Sequence, residues 1–280
     1  MEKVQTYEKY RELLKGYKRE HKGIVTNMYM MPDKLKKIIG QGRLFYVCGE
    51  EALIFLSDEK THFRLYFYQN EACKVNLPKL EKRILIELIF NENCETSSLN
   101  QIKELYKDAG FQFKKRCYLY SASVEARERT LELEYVDVTT RLEKCHLVSE
   151  YAKEDDLFQI KLLWDKYLDK YDFEYLTKEE LVHLVEQKEI LIIKDHNRVI
   201  ATECLMTTGN NKRLECHLAV SEKYRGYGLG KMILFQGFRK SLEEDVEFYS
   251  AWIDEENLTS IKLHLKAAVK TERVLEHYIL

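Results

Sequence analysis

Three of the chain's eleven glycines, Gly226, Gly228 and Gly230, fall within five residues, in a sequence of 280 that contains only two prolines. The cluster lies between a β-rich run, Arg213 to Val220, and a stretch from Gly228 to Leu242 whose Leu229, Met232, Ile233 and Phe238 recur at helical spacing. In a strand, glycine loop and helix in series, the loop N–H groups can wrap a diphosphate while the helix N-terminus adds favourable partial charge. Glycine matters because a side chain would hold the backbone away from phosphate oxygens and would penalise positive φ. Arg225 and Lys231 bracket the loop with positive charge. The segment meets neither the G-x-x-x-x-G-K-[ST] pattern of a Walker A loop nor the G-x-G-x-x-G spacing of a dinucleotide fold.

The flanking elements predict a mixed α/β domain. Asp156 to Lys170 places Leu157, Ile160, Leu163, Trp164 and Tyr167 at helical spacing, and Thr177 with Glu180 three residues on is a capping signature for a second helix. Glu189 to Lys194, Val199 to Thr207 and Arg213 to Val220 are three β-rich runs, with turns at Asp195 to Arg198 and Gly209 to Lys212, and read as an antiparallel meander. A further strand, Val246 to Ile253, follows the glycine loop and its helix, which implies a parallel crossover joined to the meander. A helix at Asn257 to Ala267 keeps Leu258, Ile261, Leu265 and Ala268 on one stripe and Asn257, Ser260 and His264 on another. A strand at Val274 to Leu280 closes the chain.

The first half repeats these parts in order. Helices are predicted at Val4 to Arg19 and Pro32 to Ile39, strands at Leu44 to Cys48, Ala52 to Leu56, Phe63 to Tyr68 and Ile84 to Phe90, a helix at Leu99 to Ala109, and further strands up to Val138. Only Gln69 to Lys82, without glycine, separates the third and fourth strands, so the glycine loop and crossover helix are missing.

The length suits two domains. With 45 Lys+Arg against 47 Asp+Glu, the chain lacks the basic excess of a dedicated nucleic-acid binder, and no nucleic-acid partner is expected. Met1 to Glu20 has no signal-peptide core and no stretch approaches the ~18 apolar residues of a membrane span, so no membrane partner and a soluble, cytoplasmic protein are expected. The seven cysteines, Cys48, Cys73, Cys94, Cys117, Cys145, Cys204 and Cys216, include no C-x-x-C pair and no zinc-type spacing with His. They read as buried hydrophobes in a reducing compartment, and no metal is expected.

The glycine segment closely resembles the acyl-CoA loop of the GNAT acetyltransferase superfamily, Arg/Gln-x-x-Gly-x-Gly/Ala. Arg225, Gly228 and Gly230 match it, preceded by the family-like Leu218-Ala219-Val220 and Tyr224. The resemblance covers roughly Leu142 to Leu280 and includes an Asn-led helix after the next strand, at Asn257. It implies acetyl-CoA as cosubstrate and acetyl transfer to a primary amine of a small molecule or peptide. By the same resemblance, backbone groups of Leu218, Ala219 and Val220 meet the pantetheine arm. Arg225, Gly226, Tyr227, Gly228, Leu229, Gly230 and Lys231 hold the pyrophosphate, and Asn257 and Ser260 flank the arm. The later helix departs from the family pattern N-x-x-A-x-x-L-Y-x-x-x-G-F. His264 replaces the tyrosine that usually protonates the thiolate, and Ala268 and Val269 replace the Gly-Phe pair.

Leu105 to Phe111 matches that same ending, with Tyr106, in a half that has no phosphate loop. The chain therefore resembles a tandem GNAT protein of α/β (α+β) class, each domain a mixed, mostly antiparallel sheet flanked by helices. Residues 1–139 form a degenerate copy lacking the loop, expected to pack against the active copy or shape its acceptor cleft, and residues 140–280 form the acetyltransferase domain.

Acyl transfer needs a neutral amine, a stabilised oxyanion and a departing thiolate. Alternation along Leu214 to Val220 puts Glu215, His217 and Ala219 on one face, making Glu215 and His217 candidate bases, with Glu203 on the neighbouring strand a weaker one. A strand N–H near Val220 would serve the oxyanion, as the resemblance implies. A thiol pKa of about 8.5 lets the thiolate leave with little help, and His264, on the Asn257 face, is the candidate acid. The acceptor is expected near Trp164 to Tyr175, where Asp165, Asp169, Asp172 and Glu174 alternate with Tyr167, Tyr171, Phe173 and Tyr175 and would suit a cationic amine. Two other readings stand beside this one. One is a non-catalytic acyl-CoA-binding protein; the other is an aminoacyl-tRNA-dependent transferase, against which the intact loop and balanced charge argue. Oligomeric state is not legible.

Overall fold

The structure, a computed structural model, describes residues 1–49, 51–70, 73, 77–94, 97–171, 176–208 and 211–280, with the side chains at 135–139 and 141 left aside. In chain order the elements are β1 (Glu2–Lys3), α1 (Tyr7–Glu20), β2 (Ile24–Thr26), α2 (Pro32–Gly40), β3 (Leu44–Cys48), β4 (Ala52–Asp58), β5 (His62–Asn70), β6 (Arg83–Asn91), α3 (Ser97–Asp108) and β7 (Gln112–Ala122). They continue as α4 (Val124–Lys144), β8 (Leu147–Tyr151), α5 (Leu157–Tyr167), α6 (Lys178–Glu186), β9 (Ile190–Asp195), β10 (Arg198–Thr207), β11 (Lys212–Val220), α7 (Leu229–Glu243), β12 (Phe248–Asp254), α8 (Leu258–His264) and β13 (Val269–Ile279). Among the described residues no helix is long and apolar enough to cross a membrane.

Packing divides the chain into two units, Met1–Arg116 with Glu272–Leu280, and Cys117–Thr271. The sequence reading places the division at 139/140, inside what folds as α4. That reading also extends strands to Val138, whereas 124–144 is helical. The alternation Leu-Glu-Leu-Glu mimics a strand, but Ser123 Oγ accepts from Ala126 N at 3.4 Å and starts a helix rich in Glu, Arg and Leu. The last strand, read with the second domain, pairs with β6 of the first unit over Arg273↔Asn91 to Ile279↔Leu85.

The first unit's strands run β1-β3-β4-β5-β6-β13, antiparallel except for β5 beside β6. Both sheet faces are covered, so β4 is apolar from Ala52 to Leu56 rather than alternating. Leu53 and Phe55 pack with Tyr10, Tyr17, Leu35 and Ile38 of α1 and α2. Ile54 and Leu56 pack with Ile102 and Tyr106 of α3 and with Phe111 and Tyr278. Tyr106, the family-like tyrosine of this half, is a core residue whose hydroxyl donates to Gln69 Oε1 at 2.9 Å.

In the second unit the order is β7-β12-β11-β10-β9-β8, with β11 and β12 parallel and the rest antiparallel. Ile160, Leu163 and Trp164 of α5 and Leu184 of α6 pack with Ile190, Ile192, Cys204 and Ala219 on one face. The α6 capping box forms as predicted, with Glu180 N donating to Thr177 Oγ1 at 3.2 Å and Thr177 N to Glu180 Oε2 at 2.7 Å. On the other face α7 buries Leu229, Met232, Ile233 and Phe238, and α4 packs on α7. The turn at Gly209 lies outside the described residues.

Each unit contains one parallel pair that comes apart. β11 pairs with β12 only from Lys212↔Phe248 to Glu215↔Ala251, although β11 runs on to Val220 and β12 to Asp254. β5 pairs with β6 only from His62↔Arg83 to Leu65↔Ile86, although they run on to Asn70 and Asn91. In the first unit the chain itself fills this gap. β2 pairs with β5 over Ile24↔Asn70 to Thr26↔Tyr68. The next residue, Asn27, donates from Nδ2 to Leu65 O at 3.0 Å and Glu87 O at 3.1 Å and accepts from Phe67 N at 2.8 Å. Leu65, Phe67 and Glu87 are buried, and each orphaned buried group costs about 1–3 kcal/mol. Asn27→Ala is therefore expected to lower stability by roughly 3 kcal/mol, read as a lower urea midpoint at unchanged slope. In the second unit, among the described residues, no strand occupies the β12 side of Cys216–Val220.

Candidate active site

The open end of the second unit's gap is formed by the glycine loop. After β11 comes a 3-10 turn, Glu222–Tyr224, and then Arg225 to Gly228 lead into α7. Gly226 and Gly228 have φ of 86° and 81°, the left-handed region where a Cβ is penalised. Gly228 is the N-cap of α7 and supplies no capping side chain. The first intrahelical bond there is Met232 N to Gly228 O, 3.1 Å, so the preceding N–H groups have no intrahelical acceptor and suit an anion. At Gly230 a Cβ would make ordinary contacts with Leu263 (3.7 Å) and Val220 (3.8 Å), so packing alone admits alanine, the family's alternative.

Side chains pin the turn. Arg225 donates from Nε to Val220 O at 3.3 Å, and its guanidinium lies 4.9 Å from the centroid of the Tyr167 ring. Tyr167 Oη accepts from Glu222 N at 3.0 Å, and Tyr224 donates to Asp195 Oδ2 at 2.5 Å. Tyr227 is exposed. Lys231 does not bracket the loop with its charge as the sequence suggests: its ammonium pairs with Glu134 of α4, which also holds Lys266 at 3.0 Å.

β11 departs from strict alternation. Cys204 faces Cys216 and Thr202 faces Ala219, so β11 carries one residue more than β10 in this interval, and His217 sits at φ 56°. This bulge corrects the expectation that Glu215, His217 and Ala219 share a face. Glu215 turns toward α8, whereas the His217 ring stacks on Trp164 of α5 at 4.3 Å, with Cys216 and Ala219 against the same core. Burial pushes the His217 imidazole down to about 3, which keeps it neutral and makes it a weak base at neutral pH.

Glu215, the last β11 residue paired with β12, marks the apex of the gap. His264 Nε2 lies 2.6 Å from Glu215 Oε2 and its Nδ1 lies 2.8 Å from Ser260 O. Both partners are acceptors, an arrangement that the doubly protonated imidazolium satisfies. Burial pulls His264 down, but the Glu215 carboxylate and the hydrogen bonds to Glu215 and Ser260 O raise its pKa above the usual histidine value. Both side chains are buried. Asn257 caps α8, accepting from Ser260 N at 3.1 Å, and Ser260 Oγ lies 3.3 Å from His264 Nδ1. Sequence spacing thus places Asn257, Ser260 and His264 together correctly.

Two residues back this pair up. Fully buried Glu203 accepts from Tyr249 Oη at 2.5 Å, and burial together with the nearby Glu215 pushes its carboxyl well above the usual carboxylate range. A Cβ at Gly237 of α7 would lie 2.8 Å from both Glu203 Oε2 and Tyr249 Oη, which explains a glycine inside that helix. Tyr249 is absent from the sequence reading; its one signal is a polar tip in an apolar strand. In the expected acceptor stretch Trp164 and Tyr171 are buried, Asp169 accepts from Tyr171 N at 3.1 Å, and Asp165 is exposed. Asp172, Phe173, Glu174 and Tyr175 lie outside the described residues.

Residues 151–268 match the sequence model of the Acetyltransferase (GNAT) family. No curated protein matches the sequence. Among solved structures the chain is similar to an acetyltransferase from the GNAT family of Colwellia psychrerythraea, with TM-score 0.54 and 11% identity over 100% of this chain and 99% of that one. It is also similar to a tandem GNAT protein from the clavulanic acid biosynthesis pathway, with TM-score 0.51 and 10% identity over 82% and 78%. A third is the GCN5-related glucosamine N-acetyltransferase region of a fungal multi-domain β-N-acetylglucosaminidase, with TM-score 0.57 and 13% identity over 86% of this chain, which spans 32% of that longer one. At such identities these likenesses show the fold. Residues 151–268 are a GNAT acetyltransferase domain, and the enzyme class of the chain is acyltransferase.

Proposed function

We propose that the second unit moves an acetyl group directly from acetyl-CoA to a primary amine of a small molecule or peptide. The observation that carries this reading is the edge of β11 from Cys216 to Val220, unpaired among the described residues, which leads from the Glu215–His264 pair to the glycine loop. The pantetheine arm lies along Leu218, Ala219 and Val220, bonding their backbone groups as a short strand would. The pyrophosphate meets the N–H groups from Gly226 to Lys231, with Arg225 and Tyr227 at its rim and Asn257 and Ser260 beside the arm.

The amine nitrogen attacks the thioester carbonyl, whose oxyanion takes an N–H of the open β11 edge at its His264 end. As the C–S bond breaks, His264 gives its proton to the departing thiolate, and the proton lost by the amine returns to His264 through water. Glu215 acts through His264 by holding its ring and charge. His217 supports the bulge from the α5 side. The free cysteines suit a reducing, cytoplasmic setting.

The first unit takes no part in cofactor binding on this reading, because Ile24 to Asn27 fills its gap and it has no glycine loop. Calorimetry should give one acetyl-CoA per chain; two would contradict the filled gap. An acceptor screen tests the function as a whole. Acetyl-CoA is incubated with polyamines, peptide N-termini and amino sugars, the last because one structural relative is described as a glucosamine N-acetyltransferase. Thiol release that requires both the amine and His264 supports the reading, and acetyl-CoA binding without release from any amine counts against it.

A further inference from the structure

We propose that Cys204, Cys216 and His217 form a site for one thiophilic divalent cation of the zinc and cadmium class. Their ligand atoms all lie within 4.8 Å of one another. A point therefore exists within about 2.8 Å of all three, and small side-chain shifts would bring it to the ~2.0–2.3 Å of zinc–nitrogen and zinc–thiolate bonds.

The backbone has an unusual arrangement here. Cys204 and Cys216 are direct partners across β10 and β11, which brings their side chains to one side of the sheet. His217 follows Cys216 immediately and in a regular strand would point to the opposite face. Its left-handed φ of 56° turns it back to the cysteine side, where its ring lies against Trp164. For a non-glycine residue that conformation costs about 1–2 kcal/mol. The bulge thus gathers two sulfurs and an imidazole at one point of the core.

The donor set is soft, which selects against magnesium and calcium. A divalent ion cancels the charge of two thiolates, so the loaded site is neutral in a place where a separate charge would be costly. Three protein ligands leave a fourth position for a small molecule such as water. Bound metal would tie β10 to the bulge that precedes Leu218–Val220. The proposal does not depend on acetyl transfer.

The test titrates the full chain with cadmium, following the thiolate-to-cadmium charge-transfer band and the number of ions retained after dialysis. Exposed cysteines such as Cys48 and Cys145 contribute a background, so the reading is a difference. The Cys204→Ser, Cys216→Ser double variant should retain one ion fewer than wild type and lose the corresponding part of the band. An unchanged count and band would overturn the site. A measurement on the unaltered protein guards against a misfolded variant: X-ray absorption of the chain loaded with one zinc should show two sulfurs and nitrogen in the coordination shell. A shell of oxygen and nitrogen alone would also overturn it.

Discussion

Gly228→Val is expected to abolish the proposed acetyl-CoA binding, with the affinity falling at least about 100-fold, or some 2.7 kcal/mol. Gly228 has φ 81° and ψ 11° as the N-cap of α7, and a β-branched residue held there is strained by roughly 1–3 kcal/mol. The strain is relieved only by moving φ, which re-aims the first N–H groups of α7 away from the proposed phosphate position. Gly230→Ala is the matched control. Its Cβ meets Leu263 and Val220 at 3.7 and 3.8 Å, so binding within about threefold of wild type is expected. Calorimetry on both variants, with circular dichroism to confirm folding, checks the contrast. Equal losses in both would show that the loop acts through bulk rather than backbone conformation.

Glu215→Ala has the largest expected effect on stability. It leaves His264 buried without the carboxylate that favours its charged form, and where the ring keeps its proton the change costs about 3–5 kcal/mol. For a unit of this size the melting temperature should drop by roughly 10 °C. Glu215→Gln keeps an acceptor and should lose less. The pH dependence follows from the raised pKa of His264. The folded state holds this proton more tightly than the unfolded chain, whose histidines titrate near 6.5. The stabilisation is fully present below that value and is lost as pH rises through the higher folded value. Wild-type stability should thus decline over that window on the alkaline side of about 6.5, while His264→Ala should show a flatter profile. Turnover in His264→Ala should be slower by about 100-fold, the low end for a lost general acid. A pH profile unchanged by the substitution would mean that His264 is neutral in the folded protein.

Much of the second unit is legible in its sequence because the decisive signals are local. Thr177 with Glu180 caps α6, the three glycines lead into α7, and Asn257, Ser260 and His264 share one face of α8. What escapes sequence reasoning is non-local. Nothing in Val274 to Tyr278 says that β13 pairs with β6, since any buried strand satisfies its apolar side chains equally well. The Leu-Glu alternation after Thr130 fits a strand template, but the helix-forming residues around it prevail. The His217 bulge has no glycine to announce it, so period-two alternation assigns that residue to the wrong face and hides the separation of His217 from Glu215. Asn27 is unremarkable among its neighbours, and its three hydrogen bonds become visible only once β5 and β6 diverge around it.

The most direct test of the central claim, that the gap beside Cys216–Val220 holds acetyl-CoA, is the melting temperature with and without excess acetyl-CoA. A ligand at about 100 times its Kd stabilises the native state by about 2.7 kcal/mol, so wild type should melt several degrees higher and Gly228→Val should not shift. No shift in wild type at millimolar acetyl-CoA would contradict the account.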